Sequence, residues 1–186
     1  MRTSKRDRIL DAAVNVINRD GVRAVTFESV AAEAKLTRGG LLYHFPSREA
    51  LLRGIDEHLV HAWETSMEAL LGKTAEQATA LERYQTFVRV SAQSATRAEL
   101  MFMLESADPE AGERPWGPAV QRWAPSAPEA GNVDATTLDN FVARLAADGL
   151  WIYEAMYEGQ LDEGVRARVA ERIAGLLAKS DGSPHL

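Results

Sequence analysis

The stretch Thr26-Phe27-Glu28-Ser29-Val30-Ala31-Ala32-Glu33-Ala34-Lys35-Leu36-Thr37-Arg38-Gly39-Gly40-Leu41-Leu42-Tyr43-His44-Phe45-Pro46 decides how this 186-residue chain is read. Thr26 is a natural N-cap, and a helix is predicted over about 27–34, with Val30, Ala31 and Ala34 turned inward at three- and four-residue spacing. Lys35-Leu36 makes a tight turn. Thr37 caps a second helix over about 38–45, and Pro46 ends it, because the residue before a proline avoids the helical region. Ala31, Ala32 and Ala34 are small enough for the two helices to cross closely. Gly39 and Gly40 open the second helix although each costs about 1 kcal/mol relative to alanine. Their place at a helix start points to close backbone approach by another molecule. Two capped helices joined by so short a turn are the layout of a helix-turn-helix, whose second helix fits the major groove of DNA.

Outward from this stretch the pattern stays helical. A supporting helix is predicted over about 5–19, with Ser4 as N-cap and Ile9, Leu10, Ala13, Val14, Val16 and Ile17 on one broad face. Asp20-Gly21 stops it, the glycine serving as a left-handed C-cap. Ser47 caps a long helix through Leu51, Leu52, Ile55, Leu59, Val60, Trp63 and Met67 to about Leu71, where Gly72 terminates it. Helices follow over about 75–95 and 97–106. Five of the seven prolines then fall between Pro109 and Pro128, a stretch read as loop with a short helix holding Pro118 in its first turn. Asp134 or Thr136 opens a long helix to about Glu158, closed by Gly159, and a last helix runs over about 162–179. The tail 180–186 is expected to be disordered. No strand is predicted, so the fold class is all-α with about nine helices.

Charge divides the same way. The whole chain carries 21 Lys+Arg and 27 Asp+Glu, a net −6 that by itself discourages a nucleic-acid partner. Residues 1–53 hold ten basic and six acidic groups, a net +4, and the remainder a net −10. Such asymmetry fits a nucleic-acid-facing module on an acidic body. The domains are accordingly drawn as 1–53, DNA-binding, and 54–186, regulatory and dimerising. Cysteine is absent, which excludes disulfides, thiolate metal sites and cysteine nucleophiles. No apolar run approaches a membrane span and the basic N-terminus leads into no signal-type core, so a cytoplasmic protein with no membrane partner is expected.

Residues 25–52, with Tyr43-His44-Phe45-Pro46-Ser47-Arg48-Glu49-Ala50-Leu51 as their most specific part, resemble the DNA-binding domain of the tetracycline-repressor (TetR) family of bacterial regulators, a resemblance that extends over about residues 5–53. The resemblance implies a dimeric one-component repressor that reads a double-stranded operator of two half-sites and leaves it on binding a small molecule. It implies DNA contacts from Thr26, Thr37, Arg38, Gly39, Gly40, Tyr43, His44 and Arg48, with Phe45 as a core anchor. Gly40 stands where Ser, Thr or Ala is common and Leu42 where an aromatic is common, which bears on operator sequence. The arm Arg2, Lys5, Arg6 and Arg8 reads either as added phosphate or minor-groove contact or as a solvated tail.

Beyond residue 53 the readings are broader. Leu138, Phe141, Leu145, Ile152, Val165, Val169, Ile173 and Leu176 give the last two helices apolar stripes suited to a homodimer, with a monomeric core as the plainer alternative. Trp63, Met67, Tyr84, Phe87, Met101, Phe102, Trp116, Trp123 and Trp151 are either ordinary core or the lining of a pocket for an apolar or aromatic effector. Gln93, Arg97, Glu105 and Glu154 are its candidate polar handles. His58 and His61, three apart, have the spacing of two metal ligands, but no third is evident, so no metal or other cofactor is expected. An all-helical enzyme is the rival class. It lacks a nucleophile elbow, a phosphate loop and a metal motif. A third reading is a DNA-binding regulator whose C-terminal domain only dimerises.

Overall fold

Side-chain caps set most of the helix starts. The computed structural model describes residues 4–93, 97–105, 115–131, 133–157 and 161–177. Among them are nine α-helices and no strand: α1 Lys5–Asp20, α2 Phe27–Ala34, α3 Arg38–His44, α4 Arg48–Leu71, α5 Ala80–Ser91, α6 Arg97–Glu105, α7 Trp116–Trp123, α8 Ala135–Tyr157 and α9 Glu163–Leu177. Ser4 and Asp7 form a reciprocal capping box on α1, and Thr26 and Ser29 form one on α2. Thr37 Oγ1 accepts the Gly40 N–H at 3.1 Å, and Ser47 Oγ the Ala50 N–H at 3.1 Å. Asp134, not Thr136, caps α8 through Thr137 N–H at 2.7 Å, and Asp162 Oδ1 accepts the Gly164 N–H at 2.9 Å ahead of α9.

Two boundaries differ from the sequence reading. The helix expected over 75–95 is broken near its start and ends at Ser91, with Ala92 and Gln93 in a turn. Ala75–Gln77 form a 3-10 turn, Ala78 is extended, and Thr79 starts α5 with its own capping box to Glu82. The Arg83 guanidinium then donates to the carbonyls of Ala75 and Ala78 at 3.3 and 2.8 Å, fastening the break. Gly21 takes a positive φ of 85°, but its ψ of 169° leads into extended backbone and not the left-handed helical region. The expected closure at Gly159 and the tail 180–186 lie outside the described residues.

The chain forms two compact units, Met1–Ala62 with Thr96–Trp116, and Trp63–Ala95 with Gly117–Leu186. A boundary at 53/54 falls inside α4, as does the division at 62/63. In the first unit α1 packs on α2 and α6, and α2 on α3. Ile9, Leu10, Val16, Ile17, Val30, Leu41, Phe45, Leu51, Ile55 and Phe102 are buried there. Asn18 Oδ1 accepts the Ala98 N–H at 3.0 Å, tying the start of α6 to α1. Gly54 lets α4 approach this core closely. A Cβ at that position would stand 2.6 Å from Phe45 Cε1 and 3.4 Å from Leu10 Cδ2. In the second unit α5, α8 and α9 pack on one another around Phe87, Val90, Ala143, Ala147, Leu150, Ala170, Ile173 and Leu177. Arg89 grips Glu171 through Nε and Nη2 at 2.7 and 3.1 Å, joining α5 to α9.

Candidate nucleic-acid interface

Leu41 and Phe45, at 0% and 2% exposure, seat α3 on the first unit. Helical geometry then turns Gly39 and Tyr43 to the opposite side, with Arg38 and Leu42 exposed on its flank. Tyr43 is 86% exposed, far beyond what packing would leave to a large aromatic. Its ring meets that of His44 edge to face at 5.3 Å, which limits its rotation. A Cβ at Gly39 would touch nothing within 4 Å, so the face between Arg38 and Tyr43 is bare backbone. Gly40 and His44 are half-buried and sit to the side. A Cβ at Gly40 would come 3.3 Å from the capping hydroxyl of Thr37.

The turn into α3 is tightly made. Leu36 N–H reaches back to Ala31 O at 2.9 Å, and Lys35 takes the left-handed conformation at φ 55° without being glycine. Such a residue costs roughly 1–2 kcal/mol. Thr26 and Thr37 are exposed, and each hydroxyl already accepts a backbone N–H of its helix.

Several cations of this unit have partners within it. Arg38 Nη1 lies 3.2 Å from Glu28 Oε1, with both side chains 65% exposed. Arg48 Nε donates to Val25 O at 3.4 Å, setting the start of α4 beside the cap of α2. The Glu49 backbone N–H, and then the Ser47 hydroxyl, hold the Glu49 carboxyl below its usual range. From the basic arm, Arg6 pairs with Glu57 at 3.3 Å and lies over the Phe45 ring at 5.3 Å. Arg8 donates to Ala34 O at 3.2 Å, closing the end of α2. Lys5 is exposed, and Arg2 lies outside the described residues. Thr26, Thr37, Arg38, Gly39, Tyr43 and Arg48 thus occupy exposed positions, joined by two residues given no contact role from sequence, Leu42 and Glu28. A carboxylate ten residues before an arginine carries no local signal, because the pairing exists only once the turn has folded.

His58 Nε2 lies 2.9 Å from Asp11 Oδ1, linking α4 to α1. Among the described residues no three His, Cys, Asp or Glu side chains converge as metal ligands would.

In the second unit, α8 carries an unbroken exposed apolar stripe: Leu138 at 43%, Val142 at 53%, Leu145 at 54%, Ile152 at 40% and Met156 at 56%. Gly149 lies in this stripe, and a Cβ there would meet nothing within 4 Å. Val169 of α9 is 36% exposed, Phe141, Val165 and Leu176 are half-buried, and Ile173 is buried within the chain. Behind the stripe Glu154 is 5% exposed and bonds Arg166 of α9 at 2.9 Å.

The large side chains read as a pocket are divided between the units. Met101, Phe102 and Trp116 belong to the first. Trp63, Met67, Phe87 and Trp123 are buried in the second, Trp63 and Phe87 edge to face at 6.2 Å, while Tyr84 and Trp151 are half-buried. Trp123 Nε1 donates to Glu64 Oε1 at 3.3 Å. An open cleft of about 340 Å³ lies in this unit, lined by Tyr84, Pro125, Ser126, Glu129, Thr137 and Asn140 among others. Of the polar handles, Gln93 is exposed and the side chains of Arg97 and Glu105 lie outside the described residues. No described helix is long and apolar enough to cross a membrane.

The sequence matches two family descriptions, bacterial regulatory proteins of the tetR family over residues 9–55 and the tetracyclin repressor-like C-terminal domain over residues 81–178. The HTH-type transcriptional regulator RutR of Escherichia coli (strain K12) is 29% identical over 103 residues, which is 55% of this chain and 48% of RutR. The match thus spans about half the length of that relative. Among solved structures, a TetR-family regulator from Rhodococcus sp. superposes with a TM-score of 0.68 at 17% identity, covering 96% of this chain and 99% of its own. The fatty acid degradation regulator FadR of Bacillus halodurans gives 0.64 at 15% over the whole of both chains. The multidrug binding protein EbrR, complexed with imidazole, gives 0.54 at 21%, covering 92% of this chain and 96% of its own. At these identities the structural likeness speaks for the fold.

Proposed function

The chain belongs to the tetracycline-repressor family of bacterial regulatory proteins, a family of transcriptional regulators and not of enzymes, and from that premise we propose that it represses transcription as a homodimer released from its operator by a small molecule. The observation that carries the DNA-binding part is the outward face of α3. A tyrosine 86% exposed stands there beside an arginine and a bare glycine, between two threonine-capped helix starts. Thr26, Thr37, Arg38, Gly39 and Tyr43 make the contacts on this reading, with Arg48 setting the frame and Gly40 and His44 at the margin. Phosphate contacts release condensed counterions, so binding weakens steeply with salt. The acidic second part of the chain is screened beyond a Debye length of about 8–10 Å.

The α8 stripe supports the dimer. An apolar row that long is more than a lone helix leaves in water, and Gly149 allows a second α8 to approach closely. Two half-sites require two reading helices about 34 Å apart, which one copy cannot supply. DNA as the target places the protein in the cytoplasm. The second reading, a C-terminal domain that only dimerises, draws on the burial of Trp63, Met67, Phe87 and Trp123, which leaves their interior filled. An effector then has to open that packing or occupy the cleft at Tyr84.

Selection of bound duplexes from a random pool by the full-length protein tests the first part. A recurring palindromic site supports it, and recovery of no preferred sequence refutes it. Repeating the selection and a thermal-shift series with a panel of aromatic and apolar compounds separates the two readings. A compound that raises the melting temperature and releases DNA favours the effector-controlled one.

A further inference from the structure

We propose that Glu28 is a specificity-determining residue that holds Arg38 in position to read a guanine, an inference that rests on the DNA-binding reading above. Glu28 lies in the first turn of α2 and Arg38 is the first residue of α3, and the folded turn brings Glu28 Oε1 to 3.2 Å from Arg38 Nη1. Both side chains are 65% exposed. An ion pair so open to water adds little to stability, and the helix dipole favours a first-turn carboxylate whether or not it turns to Arg38, so folding does not account for the pairing. On a face that meets phosphates a negative charge is a handicap for binding as such. Its use to binding is to shape which contact the neighbouring cation makes.

The geometry supplies that use. The shortest approach of Glu28 is to Nη1, an ion-pair contact at one arm of the guanidinium. The guanidinium presents its donors in a rigid fork, and guanine offers O6 and N7 as paired acceptors in the major groove. Drawing one arm of the fork toward Glu28 biases the plane of the rest and narrows its rotamers before DNA arrives. The carboxylate also repels phosphate oxygens, so Arg38 is biased away from the sequence-independent contact it would otherwise make. As the face closes on DNA and loses water, the attraction between the pair strengthens.

The test uses the operator recovered by random-pool selection, every single-base variant of it, and an unrelated duplex. Affinities are measured over a salt series for the unsubstituted protein, Glu28→Gln, Glu28→Asp, Arg38→Ala and Glu28→Gln with Arg38→Ala. Arg38→Ala marks the guanine positions that Arg38 reads. Glu28→Gln is expected to lose about tenfold or more discrimination at those positions. Its affinity for the unrelated duplex stays equal or tightens, and its salt slope steepens by about one as Arg38 turns to phosphate. Glu28→Asp, which keeps the charge on a shorter arm, recovers part of the discrimination, and the double substitution matches Arg38→Ala. Unchanged discrimination in Glu28→Gln overturns the inference. So does a parallel loss on operator and unrelated duplex, which marks a scaffold role. Loss at a base pair that Arg38 does not read also overturns it, since Glu28 would then touch that base itself. If the unsubstituted protein selects no sequence, the DNA-binding reading fails first and takes this inference with it.

Discussion

Replacing Gly54 by alanine separates the cost of packing from helix propensity, because the same change at Gly39 serves as its control. In a helix interior alanine is favoured over glycine by about 1 kcal/mol. At Gly54, the seventh residue of α4, that gain is opposed. The new Cβ would stand 2.6 Å from Phe45 Cε1 and 3.3 Å from Cζ. The ring has little room to yield, since it is 2% exposed and Arg6 lies over it at 5.3 Å. Overpacking of this kind costs about 1–3 kcal/mol. The balance is a destabilisation of about 1 kcal/mol, or a melting temperature lower by about 2–4 °C for a chain of this size. Gly39→Ala meets nothing within 4 Å and gains up to about 1 kcal/mol, less in a first turn, so its melting temperature rises. Thermal and urea unfolding of the two variants side by side measure both. Combining Gly54→Ala with Phe45→Leu makes room for the methyl, so the pair should cost less than the sum of its singles. The reasoning fails if both glycine variants shift in the same direction, or if the double substitution is additive. Gly39→Ala is also expected to weaken operator binding, since its methyl group stands on the reading face.

Three further outcomes are expected. Tyr43→Ala abolishes specific operator binding in a mobility-shift assay and Arg38→Ala weakens it and relaxes its base preference, while sedimentation shows the oligomer unchanged, because both side chains are exposed and no core contact is lost. Leu145→Glu, at a position 54% exposed, leaves a folded monomer at micromolar concentration by analytical ultracentrifugation, and a persisting dimer would place the interface elsewhere. Lys73, with the Thr79 hydroxyl and N–H, holds the Glu82 carboxyl at about 2, well below its usual range. Its folded value is depressed, so its contribution is present at pH above about 4.5 and is lost as pH falls toward 2. Glu82→Gln should therefore flatten the acid limb of the melting profile across that window.

Local chemistry made much of the first unit legible. Thr26, Thr37 and Ser47 are hydroxyl caps at the starts of α2, α3 and α4, and Pro46 ends α3, so each boundary is signalled within a few residues. Asp162 and Asp134 did the same for α9 and α8. Periodicity ran across the break at Ala78, because it registers apolar spacing and not the competition by which Thr79 and Glu82 start a new helix. The outward stripe of α8 was visible as excess apolar character, while the burial of Ile173 was not, since two faces of α9 are apolar and only packing against α5 and α8 chooses between them. Gly54 looked unremarkable because its partner, Phe45, approaches from another helix.

The place of α6 has a consequence for biosynthesis. The hydrogen bond from Ala98 to Asn18 and the seating of Met101 beside Gly21 complete the surface of α1 with residues some eighty positions downstream. As the ribosome delivers the chain, helices α1 to α3 emerge early, yet the apolar side of α1 waits for α6 to leave the exit tunnel. At about 5–20 residues per second that interval is several seconds. A fragment ending at residue 62 would keep that side permanently uncovered, so trimming the protein to its reading helices would yield a sticky piece and not a minimal operator-binding module.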